Sequence, residues 1–122
     1  AGFTDGTPWI NVNPNYKEIN AKAALADPDS VFHYYQELIR LRHTLPVIVY
    51  GKFEGLLEDS ETIYAYRRLL DGQVLTVACN FTDQEQACDL CEDPAATELI
   101  SNYKTHKAGT LQPYEARVIL QK

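Results

Sequence analysis

Around Pro46 the spacing of apolar residues changes from steps of three and four to steps of two, and this change most constrains how the chain can fold. Before it, DPDSVFHYYQELIRLRHTLP predicts one amphipathic helix over 28–45. Val31, Tyr34, Tyr35, Leu38, Leu41 and Leu45 form its stripe, and Gln36, Glu37, Arg40 and His43 fall elsewhere. Asp27 is placed to cap the helix, and Pro28 suits a first turn, where a missing N–H costs nothing. Pro46 stops it.

After Pro46, Gly, Asp and Pro punctuate short β-branched runs. VIVYG, TIYAYRR, QVLTVACNF, EQACDL, ATELIS and YEARVIL each read as a strand. Asp71-Gly72 is a favoured two-residue turn and pairs TIYAYRR with QVLTVACNF. In the second of these, Val74, Thr76 and Ala78 share one face and Leu75, Val77 and Cys79 the other. Both faces are largely apolar, which predicts a central strand. Short strands with frequent turns imply a mainly β fold, an antiparallel sandwich or Greek-key barrel.

The stretch 1–26, with TPWINVNPNY at its heart, follows neither period and is read as a long loop. Such loops are uncommon in compact domains unless they are functional or disordered. With 122 residues the chain is one domain's worth. No Met is present, even at position 1, so a piece cut from a longer polypeptide is expected. A net charge of −6 without clustered Lys or Arg argues against nucleic acid. No apolar run is long enough to span a membrane and no basic-then-apolar leader opens the chain, so no membrane partner and a cytoplasmic location are expected.

Chemistry is sparse. Cys79, Cys88 and Cys91 form an odd set, and CDLC supplies only half of a four-ligand metal site. Cys79 reads as a small buried hydrophobe. His33, His43 and His106 have no ligand spacing, so neither metal nor cofactor is expected. Glu58-Asp59 and Glu92-Asp93 read as solvated turn acids rather than a glycosidase pair, which must face each other across a sugar. Asn80-Phe81-Thr82 matches a glycosylation triplet and is discounted. The 8 tyrosines read as core material, with a sugar-stacking platform as the rival use.

GFTDGTPWINVNPNYKEIN, then DPDSVFHYYQELIRLRHTLPVIVYG, and finally LISNYK and LQPYEARVIL closely resemble the C-terminal end of oligo-1,6-glucosidases. These belong to the α-amylase superfamily, glycoside hydrolase family 13, with α-glucosidases, dextran glucosidases and trehalose-6-phosphate hydrolases. The resemblance runs through almost the whole chain. It implies that 1–46 ends a catalytic (β/α)₈ barrel, with 1–26 as a loop on the active-site side and 28–45 as the last barrel helix. It further implies that 47–122 is a C-terminal β-sandwich of the amylase type.

The family's nucleophilic Asp, acid/base Glu and stabilising Asp would lie upstream of Ala1, and no residue here matches them. The parent would cleave terminal α-glucosidic bonds of an oligosaccharide with retention. This chain would be its non-catalytic C-terminal fragment, with the missing barrel as intramolecular partner. Trp9, Asn11, Asn13 and Asn15 fall where they could reach the rim of the parent's site, with structural packing as the plainer role for Trp9. Without a barrel, Val31, Phe32, Tyr35 and Ile39 would be uncovered, and an artificial homodimer is expected. The alternatives are a self-sufficient carbohydrate-binding sandwich, or the same fragment of a trehalose-6-phosphate hydrolase or dextran glucosidase.

Overall fold

A computed structural model describes residues 4–122, so what the sequence predicts for 1–3 lies outside the described residues. The chain divides between Glu37 and Leu38 into two compact units.

The first unit is built from local hydrogen bonds. Asn13 caps a 3₁₀ turn, Pro14–Lys17, by accepting from the Asn15 N–H. Asn20 then joins that turn to helix α1, Ala21–Ala26. Its side-chain oxygen accepts from the Ala23 N–H at 2.9 Å, and its Nδ2 donates to the Tyr16 carbonyl at 3.0 Å. The stretch 1–26, read as loop, is therefore partly helical: an asparagine cap followed by AKAALA, rich in the best helix former, suffices locally.

Helix α2, Val31–Thr44, begins later than predicted. Asp27 is not its cap, because its carboxylate closes a turn by accepting from the Asp29 N–H. Pro28 sits in that turn. Ser30 stands at the helix start instead, and its hydroxyl donates to the Ala24 carbonyl at 2.6 Å. Of the predicted stripe only Leu41 is buried.

The second unit opens with a correction. Val47 to Tyr50, read within the strand VIVYG, instead belong to a helical turn, α3, Pro46–Tyr50. Pro46 initiates it as well as ending α2, since its missing N–H is not needed in a first turn. Gly51 ends it. A Cβ at that position would lie 2.4 Å from the Val47 carbonyl oxygen, so only glycine fits.

The strands follow as β1 Lys52–Leu56, β2 Ile63–Leu70, β3 Gln73–Asn80, β4 Gln86–Ala87, β5 Thr97–Ser101, β6 Thr110–Leu111 and β7 Ala116–Gln121. All pairings are antiparallel, in a five-stranded sheet ordered β1-β2-β3-β7-β5 and a two-stranded sheet β4-β6. The mainly antiparallel sandwich is as expected. The Asp71-Gly72 hairpin pairs Leu70 with Gln73, and both turn residues have positive φ, as a tight hairpin requires. EQACDL contributes only the two residues of β4.

β3 is central, and its alternation assigns the core as predicted. On one face Ala78 joins Ile63, Ala65 and Ile119 beneath Leu111, Cys88 and Cys91. On the other, Leu75 and Val77 join Leu120 beneath Val47 of α3, with Leu45 and Ile48 beside it. Asn80 closes the β3 end: its buried Nδ2 donates to the Gln84 and Gln112 carbonyls at 2.7 and 2.9 Å, and its Oδ1 accepts from Thr82.

Candidate functional site

The stretch expected at the rim of the parent's site is an exposed loop in the first unit. Thr4, Thr7, Pro8, Trp9, Asn11 and Asn13 are among the residues that line an open, mainly apolar hollow of about 530 Å³. That is a volume in the range of small-molecule sites. Trp9 is 95% exposed. Asn11 is also exposed, whereas the Asn13 carboxamide is occupied with the Asn15 N–H. The Asn15 carbonyl accepts from the Glu18 and Ile19 N–H groups. Trp9 and Asn11 are thus presented outward while Asn13 and Asn15 shape the loop.

A second assembly, invisible in the sequence, lies in the sandwich. The Glu115 carboxylate is fully buried. One of its oxygens is 2.6 Å from His106 Nδ1, and the other accepts from the Gln112 N–H at 2.7 Å. His106 Nε2 faces Glu98 at 3.0 Å. Glu98 accepts from Arg117 Nε at 3.2 Å, and the Arg117 guanidinium continues to Glu92 and to the Cys91 carbonyl. Glu92 is therefore an ion-pair partner and not merely a solvated acid.

Every carboxylate in this chain of contacts is engaged by a cation, a ring nitrogen or a backbone N–H. The arrangement ties the 102–109 loop to β5 and β7, and it does not present two carboxylates across a space for a sugar. Spacings of 98, 106, 115 and 117 carry no motif, since these residues come together only through the pairing of β5 with β7 and the path of the loop between them.

The other two histidines lie apart. His33 Nε2 faces the Leu25 carbonyl, and His43 is exposed. Burial raises the Cys79 and Cys88 thiols above their usual range and pushes Cys91 up to about 11, with Arg117 opposing. Thiols so placed hold their protons, whereas metals bind thiolates. Among the described residues no group of three or more His, Cys, Asp or Glu is placed to hold a metal, and no helix is long and apolar enough to cross a membrane.

The tyrosines depart from expectation. None belongs to the buried core, and Tyr16, Tyr35, Tyr50, Tyr64 and Tyr114 are exposed. Tyr64, Tyr66 and Phe53 cluster on one sheet face, with ring centroids 5.3 and 5.7 Å apart. They are tilted by 31° and 56°, so they do not form the coplanar row that a sugar platform would use.

Residues 1–51 match the family model described as the α-amylase catalytic domain, and residues 65–121 match the β-galactosidase C-terminal domain model. The oligo-1,6-glucosidase of Halalkalibacterium halodurans is 50% identical across 99% of this chain. That of Parageobacillus thermoglucosidasius is 50% identical across 97%. The solved trehalose-6-phosphate hydrolase of Bacillus licheniformis superposes over 99% of this chain with a TM-score of 0.90 and 41% identity. The chain spans only 22–24% of the length of these relatives. These relatives belong to the α-amylase superfamily of glycoside hydrolases. Within that superfamily the chain is similar to the C-terminal part of proteins named oligo-1,6-glucosidase.

Proposed function

We propose that the chain is the non-catalytic C-terminal part of an α-glucosidase that hydrolyses terminal α-glucosidic bonds of short oligosaccharides in the cytoplasm. In this reading it completes and stabilises the catalytic barrel. One observation carries the reading. The segment matched by the catalytic-domain model exposes Trp9, Ile10, Ile19, Val31, Phe32, Tyr35 and Ile39, whereas the residues that follow bury one core among themselves and a second together with Val47. Large apolar side chains left exposed in such number point to a surface that another part of the protein covers.

The missing barrel would cover these side chains, and Trp9 with Asn11 would stand at the rim of its substrate site. The catalytic carboxylates would come from that barrel, so the chain by itself should release no p-nitrophenol from its α-glucoside. The test is a graft that replaces the matching part of the Halalkalibacterium enzyme with this chain. Retained α-glucosidase activity in the graft supports the reading. Loss of activity, or activity in the isolated chain, refutes it. The close superposition on a trehalose-6-phosphate hydrolase favours a second reading, the same role in an enzyme for phosphorylated trehalose. Assaying a barrel of that type grafted in the same way separates the two.

A further inference from the structure

Glycine follows aspartate twice in this chain, at Asp5-Gly6 and at Asp71-Gly72, and every other aspartate precedes a residue with a side chain. The dipeptide has its own chemistry. With no Cβ on the second residue, its amide nitrogen can approach the preceding side-chain carboxyl closely enough to close a five-membered imide. Both dipeptides are exposed, so access to water does not separate them. Backbone conformation does.

Asp71 and Gly72 have φ of 49° and 82° and form the tight turn between β2 and β3. That turn is held from both strands by a ladder running from Leu70–Gln73 to Ile63–Asn80. An imide fuses the aspartate side chain to the main chain and fixes the torsion about its Cα–C bond, so the Asp71–Gly72 peptide must first swing out of the left-handed turn. Asp5 and Gly6 have no such restraint. They lie in a bend before the first helical turn, outside every helix and strand, in the unit that buries none of its described residues. The Gly6 N–H donates to the Thr4 hydroxyl at 3.1 Å, a bond between exposed groups. Gly6 does not take the positive φ of Gly72, and a Cβ there would meet Thr4 Oγ1 at an ordinary 3.6 Å.

We propose that Asp5 is a site of spontaneous isomerisation to isoaspartate, by way of a cyclic imide with the Gly6 nitrogen, and that the folded hairpin withholds the same reaction from Asp71. The Gly6 nitrogen attacks Asp5 Cγ and forms the N–Cγ bond. One carboxyl oxygen leaves as water, taking the amide proton and a proton from solvent. Water then adds back to either imide carbonyl. Opening between the nitrogen and Cγ restores aspartate, whereas opening between the nitrogen and the main-chain carbonyl carbon leaves the chain running through Cβ and Cγ. Nothing is oxidised or reduced, and the water released is returned. The product carries its free carboxylate on Cα and an extra methylene in its main chain. That methylene enters between Thr4 and Thr7, which line the hollow beside Trp9.

The test ages the chain in warm, mildly acidic buffer, folded and, in parallel, in guanidinium. Tryptic peptides 1–17 and 69–104 carry the two sites separately. Isoaspartate is read as a retention shift at unchanged mass, placed by fragmentation, and as labelled methyl groups taken up from an isoaspartate-directed carboxyl methyltransferase. In the folded chain the product at Asp5 should accumulate roughly tenfold faster than at Asp71, whose reaction waits for the hairpin to open, and in guanidinium the two rates should meet. Gly6→Val should suppress the Asp5 product severalfold without moving the urea midpoint, as changes at exposed sites do. Equal rates at the two sites in the folded chain, or a Gly6→Val chain that isomerises as fast as wild type, overturn the proposal. So does an Asp5 peptide that reacts only in guanidinium, which would show that the folded loop withholds the reaction as well.

Discussion

The unit that ends at Glu37 and the unit that begins at Leu38 are held by different physics. None of the described residues before Leu41 is buried, and order there comes from side chains bonded to nearby backbone: Asn13, Asn20 and Ser30. Beyond Leu41 two apolar clusters sandwich the sheet, and their members are drawn from distant parts of the chain. Local caps contribute about 1 kcal/mol each and can shape a segment without making it independently stable. Non-local burial makes a domain. The lesson is that good local geometry and self-sufficiency are separate properties, and only the second unit shows both.

The sharpest test of the difference removes His106. His106→Leu should leave the fully buried Glu115 without its ring partner and lower stability by about 3–5 kcal/mol, the usual cost of breaking a buried pair. Urea unfolding followed by the tyrosine signal measures it, and a midpoint unchanged from wild type would show that the network contributes nothing. Leu75→Ala, in the central strand, should cost about 2–4 kcal/mol by the same measurement, as large-to-small core changes do. Asn20→Ala should cost about 1 kcal/mol of local helix only, leaving the main urea transition in place. Equal shifts for Leu75→Ala and Asn20→Ala would erase the comparison.

Alkali should act on the second unit. The unfolded Cys91 thiol ionises near 9.0, whereas burial holds the folded one to about 11. Between these values the unfolded state binds fewer protons, so stability falls as pH rises through that window. Cys79, Cys88 and Tyr66, all shifted upward by burial, pull the same way. Cys91→Ala should flatten the decline in urea midpoint between pH 9 and 11, and an identical slope would reject this origin. The smallest effect on stability is expected at Phe32. Phe32→Asp should leave the urea midpoint within about 0.5 kcal/mol of wild type, as exposed sites do. It should nevertheless abolish self-association of the isolated chain through Val31, Phe32, Tyr35 and Ile39 in sedimentation. A wild-type chain that stays monomeric at high concentration removes that association.

What the sequence made legible follows the same line between local and non-local. The hairpin was legible because Asp71-Gly72 and the flanking alternation are short-range signals, and β3 because both of its faces are apolar. VIVYG misled because β-branched residues favour strands, yet Val47 is fully buried beneath the sheet, and that tertiary contact outweighs propensity. β1 was missed because KFEGL has two charges, a glycine and little alternation. The Glu115–His106–Glu98–Arg117 assembly could not be read at all. Its members meet only once β5 and β7 have paired and the intervening loop has closed.

Asn80 shows what such closure implies for the chain's handling in a cell. Its amide nitrogen, the atom to which a secretory oligosaccharyltransferase would attach a glycan, already donates to the carbonyls of Gln84 and Gln112. The folded domain therefore offers that enzyme no acceptor. A nascent chain modified before folding would carry a bulky sugar where those two carbonyls must close on the end of β3. Folding and modification at Asn80-Phe81-Thr82 would exclude each other, and a eukaryotic secretory host would divide its product into a folded, unglycosylated fraction and a glycosylated fraction unable to complete the domain.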